Sequence, residues 1–116
     1  MARTVLIVDD QPDVRLIATQ LLEADGFAVV GEAGDLRNAL AGIATLRPDV
    51  VLLDVHLPDG SGVDLARTLQ AWDVSPMVVL MSTADYADVI GSCGAAGFIP
   101  KRLLSGATLR AAIGAS

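Results

Sequence analysis

The chain has 116 residues, a net charge of −6, 53% hydrophobic and 19% charged residues. That length holds one domain with one sizeable core, and the composition excludes intrinsic disorder. The longest uncharged stretch, Val89–Pro100, is broken by Gly91, Gly94 and Gly97 and falls short of the about 20 apolar residues a membrane span needs.

The balance of 14 acidic against 8 basic residues argues against direct binding of this domain to a nucleic-acid backbone. Met1-Ala2-Arg3 runs straight into an apolar segment with no leader pattern, so a cytoplasmic protein without membrane attachment is expected. The single cysteine, Cys93, offers no internal disulfide and reads as a small buried residue of a reduced protein.

Thr4–Val8 is a short apolar run ending in Asp9-Asp10, the pattern of a strand buried on both faces. Leu16, Ile17, Leu21 and Leu22 recur at helical spacing between Pro12 and Gly26. Phe27–Val30 predicts a second strand, punctuated by Gly31, and Leu36, Ala39, Leu40, Ile43 and Leu46 a second helix. Val50–Leu53 predicts a third strand that ends at Asp54, followed by the turn signal Pro58-Asp59-Gly60. Val63, Leu65, Ala66 and Leu69 give a third helix, and Met77–Met81 a fourth strand ending at Ser82-Thr83. Ala84–Ser92 is a short, weak helix, Phe98-Ile99 a brief fifth strand before Pro100-Lys101, and Leu103–Ile113 a last helix. Strict alternation of apolar strands and amphipathic helices predicts an α/β fold of three layers, a parallel five-stranded sheet with helices on both faces.

Open α/β sheets bind ligands beyond the carboxyl ends of their strands. Those ends carry Asp9 and Asp10, Asp54, Ser82 and Thr83, and Lys101. Three carboxylates in one cleft repel each other, and two agents can relieve them. One is a hard cation with oxygen ligands, for which Mg²⁺ suits a shallow site that keeps its waters. The other is Lys101, the only lysine beside seven arginines. A carboxylate so placed can attack phosphorus, while the cation, an ammonium and a hydroxyl neutralise phosphoryl oxygens. Each residue also has a plain structural reading: Asp9-Asp10 and Thr83 as helix caps, Asp54 as a turn residue, Lys101 as a solvated charge and Phe98 as core.

Val8-Asp9-Asp10, Leu52-Leu53-Asp54-Val55-His56-Leu57-Pro58-Asp59-Gly60, Thr83-Ala84 and Phe98-Ile99-Pro100-Lys101, in that order, resemble the receiver domain of two-component response regulators. The resemblance covers essentially the whole chain, and Val30–Ala33 is similar to receivers that precede a DNA-binding domain. It implies a doubly wound, flavodoxin-like sheet of order 2-1-3-4-5. It implies that Asp54 is the phosphoacceptor and that Asp10, Asp54 and the His56 carbonyl ligate Mg²⁺, with Asp9 reaching the metal through water. Lys101 would contact the phosphoryl group, Thr83 would be the switch hydroxyl and Phe98 the switch aromatic. The implied donor is a phosphohistidine on a sensor histidine kinase or a phosphotransfer protein. The implied output is a change on the face of the fourth helix, fifth strand and fifth helix. The lone histidine, His56, two residues past Asp54, is placed either as an exposed loop residue or as one that sets the lifetime of the phosphate.

Arg102 replaces the family's usual proline after the lysine, and Thr83 to Lys101 is about four residues, one helical turn, shorter than usual. Residues 1–116 read as one receiver domain without an output domain, either stand-alone or part of a longer protein. Such a module catalyses its own phosphorylation and dephosphorylation and turns over no outside metabolite. A phosphorylation-independent pseudo-receiver that binds a protein partner is the alternative. A haloacid-dehalogenase-type phosphatase fits less well, since the first strand ends in adjacent aspartates and there is no length for a cap domain. An exposed apolar face on the last helices would support a homodimer.

Overall fold

The carboxyl ends of five parallel strands meet at one edge of the sheet, and that edge is where the acidic residues sit. The computed structural model describes residues 2–72, 75–83 and 93–114. The strands are β1 (Thr4–Val8), β2 (Ala28–Ala33), β3 (Val50–Asp54), β6 (Met77–Ser82) and β7 (Gly97–Pro100), in the order β2-β1-β3-β6-β7. Every pairing among them is parallel. A two-residue antiparallel ribbon, β4 (His56–Leu57) with β5 (Gly60–Ser61), stands apart from this sheet. With the ribbon set aside, the strand order is the expected 2-1-3-4-5.

The helices are α1 (Pro12–Ala24), α2 (Leu36–Leu46), α3 (Gly62–Leu69) and a C-terminal helix (Gly106–Ala112). Strand side chains alternate between faces, so each central strand feeds two cores. Leu6 and Val8 of β1, Val51 and Leu53 of β3, and Val78 and Leu80 of β6 pack with Ala39 and Ile43 of α2 and Leu65, Ala66 and Leu69 of α3. Val5 and Ile7, Val50 and Leu52, and Val79 and Met81 pack on the other side with Ala18 and Leu22 of α1 and Leu109 of the C-terminal helix. Strands covered on both faces need apolar residues at every position, which is why β1 and β3 read as continuous apolar runs. Cys93 is buried, as the sequence predicts for a small residue of this kind.

The structure differs from the sequence reading at several places. In α1, Leu16, Ile17 and Leu21 are exposed, and Ala18 and Leu22 are the buried residues. At 100° per residue Leu16 lies on the far side of the helix from Ala18, so apolar character there does not follow the core stripe. Strand β2 does not stop at Gly31 but continues to Ala33, with a register shift opposite Val5 and Leu6. The last helix does not start at Leu103. Lys101–Leu103 form a 3₁₀ turn, and Ser105 caps the helix in a reciprocal capping box with Thr108. With Arg102 in place of proline this turn contains no cis peptide bond. The weak helix read over Ala84–Ser92, and Tyr86 within it, lie outside the described residues.

Candidate functional site

Two adjacent backbone connections deliver the acidic residues. Strand β1 ends at Val8, and the Asp9 N–H continues the pairing by donating to the Ala33 carbonyl at 3.0 Å. The Asp9 side chain then turns inward, fully buried, with Oδ1 accepting from the Gln11 N–H at 2.9 Å. Neither Asp9 nor Asp10 caps α1; the N-cap is Gln11, without a side-chain bond. Asp54 closes β3, and its Oδ1 accepts from the His56 N–H at 3.2 Å.

Gly62 explains how α3 can start so close to Asp54. A Cβ at Gly62 would overlap the Asp54 carbonyl oxygen, and the Gly62 N–H donates to the Val55 carbonyl at 2.7 Å. Only a residue without a side chain lets the helix approach the end of β3 this closely.

The structure brings Asp9, Asp10 and Asp54 together, with one carboxylate oxygen of each within 4.8 Å of the others. Lys101, carried by β7 into the same place, sits with Nζ 3.1 Å from Asp54 Oδ2 and 2.7 Å from Asp9 Oδ2. Of the three carboxylates, Asp9 and Asp54 are buried and Asp10 is exposed. Lys101 is therefore a partly buried ion-pair partner and not a solvated charge.

Burial pushes the Asp54 carboxyl above its ordinary range, and the bond and charge of Lys101 only partly offset this. For Lys101, burial works to lower the ammonium pKa, but bonds to Asp9 and Asp54 and their charges outweigh it, so the net direction is upward.

The cluster fits a divalent cation. One ammonium against three carboxylates leaves two negative charges uncompensated. Asp9 Oδ2 is buried, and the group beside it is the Lys101 ammonium, 2.7 Å away. All side-chain donors are hard oxygens, and the exposed Asp10 leaves the site open to water, as Mg²⁺ prefers.

Thr83 and Phe98 stand further out. Thr83 follows the last residue of β6 and is exposed, while Ser82 before it is buried. No hydrogen bond among the described residues joins Thr83 to Asp54 or Lys101. Phe98 is half-buried on β7, pairs in register with Leu80 and packs against the core on the α2–α3 side. His56 is exposed on the ribbon, where its backbone touches Asp54.

Two residues at the site carry roles that the sequence did not suggest. Asp59, read there only as part of a turn, accepts from the N–H groups of Leu36 and Arg37 at 2.8 and 3.2 Å. Those bonds hold its carboxyl below the usual range and tie the loop after Asp54 to the start of α2. Arg15 donates from Nη1 to the Asp9 carbonyl at 2.6 Å and from Nε to Glu32 at 3.0 Å. Its one sequence signal is position: a long side chain in the first turns of a helix points back toward the preceding loop.

The family model for the response regulator receiver domain matches residues 5–113. The KDP operon transcriptional regulatory protein KdpE of Escherichia coli (strain K12) is 38% identical over 91 residues, covering 78% of this chain and 40% of KdpE. The DNA-binding transcriptional activator DevR/DosR of Mycobacterium tuberculosis is 42% identical over 102 residues, covering 84% of this chain and 46% of that protein. The chain thus spans less than half the length of these curated relatives. A LuxR-family two-component response regulator from Aurantimonas sp. SI85-9A1 superposes with a TM-score of 0.85 at 29% identity, covering 99% of this chain and 84% of that one. The chemotaxis response regulator CheY4 of Vibrio cholerae shares the fold, with a TM-score of 0.83 at 23% identity over 97% of this chain and 99% of that one.

Proposed function

This chain belongs to the response regulator receiver domain family, and from that membership we propose that it is a phosphorylation-controlled signalling module with Asp54 as its phosphoacceptor. The observation that carries the reading is the buried Asp54 carboxylate, paired with Lys101 inside a cluster of three carboxylates. The donor is a phosphohistidine on a sensor histidine kinase or a phosphotransfer protein. A carboxylate oxygen of Asp54 forms the new bond to phosphorus as the P–N bond breaks, and the imidazole leaves with that electron pair and takes up a proton. Burial raises the basicity of Asp54 and so its nucleophilicity. Lys101, already 3.1 Å from the attacking carboxylate, stays to pair with a phosphoryl oxygen.

Asp10, Asp54 and the His56 carbonyl would hold Mg²⁺, with Asp9 acting through water. When bound, that ion neutralises charge on the transferring phosphoryl group. Thr83 then supplies a hydroxyl to the aspartyl phosphate, and Phe98 repacks into the space this opens. The result is a two-state change on the β7 side of the sheet. A Phe offers no hydroxyl, so its two states differ by packing alone. His56, exposed and two residues past Asp54, influences the lifetime of the phosphate.

Intact-protein mass after incubation with acetyl phosphate and Mg²⁺ tests the reading. One added phosphoryl group is expected, blocked by EDTA and absent from Asp54→Asn. No addition, with fluoroberyllate also failing to bind, would overturn it in favour of a phosphorylation-independent binding module.

A further inference from the structure

Asp9 and Asp10 lie in a turn that is held by its backbone, and one side chain outside the acidic cluster supplies much of the hold. Arg15 belongs to α1, and its side chain reaches back past the helix start to the loop. Nη1 donates to the Asp9 carbonyl at 2.6 Å, and Nε donates to Glu32 Oε1 at 3.0 Å. Glu32 lies in β2, opposite Ile7 of β1. The guanidinium therefore joins three parts of the fold: the helix that carries it, the turn at Asp9 and the strand β2. Gly34 makes room for it, since a Cβ there would come within 3.3 Å of Nη1. Asp9 is thus fixed at its N–H by Ala33, at its carbonyl by Arg15 and at its carboxylate by the Gln11 N–H. Asp10 follows one residue on and is exposed, with a carboxylate oxygen within 4.8 Å of those of Asp9 and Asp54.

We infer that Arg15 is a positioning residue for cation binding: bonded to the Asp9 carbonyl and braced by Glu32, it holds the Asp9–Asp10 turn in the shape that presents both carboxylates to Mg²⁺. The inference rests on the reading of Asp9, Asp10 and Asp54 as the Mg²⁺ site. Its two bonds leave from different nitrogens of one planar fork, which a lysine ammonium cannot reproduce. Groups that orient metal ligands without touching the metal typically set affinity by about 10–100-fold.

The sign of the effect separates positioning from simple electrostatics. Arg15 is a cation close to an acidic cluster, so loss of its charge alone would tighten Mg²⁺ binding. Loss of positioning loosens it. Calorimetric titration of the protein with MgCl₂ reads the affinity, and melting without Mg²⁺ reads any purely structural contribution. Arg15→Gln and Arg15→Lys are both expected to bind Mg²⁺ about tenfold more weakly than wild type. Gly34→Ala changes no charge but crowds Nη1, and it is expected to weaken Mg²⁺ binding to a lesser degree. This variant decides the matter should the Arg15 variants fail to fold. Unchanged or tighter Mg²⁺ binding in the variants, beside a wild type that binds, overturns the inference and leaves the reading of the site intact. A wild type that takes up no Mg²⁺ overturns both.

Discussion

Asp54 and Lys101 are held in opposite relations to their ordinary chemistry. The folded Asp54 carboxyl titrates above its ordinary value of 3.8, chiefly because it is buried. As pH rises from 3.8 toward the folded value, the unfolded chain has released a proton that the native state still holds, so stability falls through that window. Asp54→Asn removes this loss. The stability of this variant relative to wild type, read from urea titrations, is expected to rise as pH climbs from 3.8 through the folded value. Lys101 titrates above its ordinary 10.5, because Asp9 and Asp54 outweigh its burial. Its contribution is complete below 10.5 and is lost as pH rises through the folded value. Lys101→Met leaves buried Asp9 without its charge partner, and about 3 kcal/mol of destabilisation is expected at pH 7. Urea titrations across pH check this: the gap to wild type should hold at neutral pH and close in strong alkali. These residues were legible because strand ends collect chemistry. The roles of Arg15 and Asp59 were not, because each depends on bonds to backbone groups whose position the sequence does not state.

At the scale of elements, strands were read more reliably than helix starts. Continuous apolar runs identified β1, β3 and β6, since a strand buried on both faces tolerates nothing else. The C-terminal helix was placed too early because Leu103 and Leu104 extend its apolar pattern, while the reciprocal bonds of Ser105 and Thr108 set the true start. On α1 the apolar pattern misled in another way, since Leu16, Ile17 and Leu21 are apolar yet exposed. The start of α3 depends on one glycine. Gly62→Ala sets a methyl group against the Asp54 carbonyl, which is backbone and cannot swing aside. Destabilisation of about 2 kcal/mol is expected, within the range for overpacking. Thermal unfolding measures that cost. The same variant should also slow phosphorylation by acetyl phosphate, since the shift falls on Asp54, the proposed phosphoacceptor. A variant as stable as wild type would show that α3 can move away freely.

The whole molecule assembles its site from residues 9 to 101, delivered by the ends of β1, β3 and β7. The alternation of strands and helices gave the layers, while the strand order came with the family resemblance, because alternation alone fits several orders. An unfolded chain cannot bring Asp9, Asp10 and Asp54 together, so a cation at this cluster binds the native state alone. Its effect on stability then follows from mass action: at a hundred times its dissociation constant, Mg²⁺ adds about 2.7 kcal/mol to unfolding. The gain should appear as a higher urea midpoint with an unchanged slope, because the surface exposed on unfolding stays the same. Asp10→Asn is expected to abolish the Mg²⁺ response while leaving the metal-free midpoint near that of wild type, since Asp10 is exposed and lies in neither core. Ca²⁺ should give a smaller gain, because it seeks more oxygen ligands than three carboxylates and one carbonyl supply. A Mg²⁺ response that survives Asp10→Asn would place the ion elsewhere on this acidic surface. It would separate the cation from Asp54, the proposed phosphoacceptor at the end of β3.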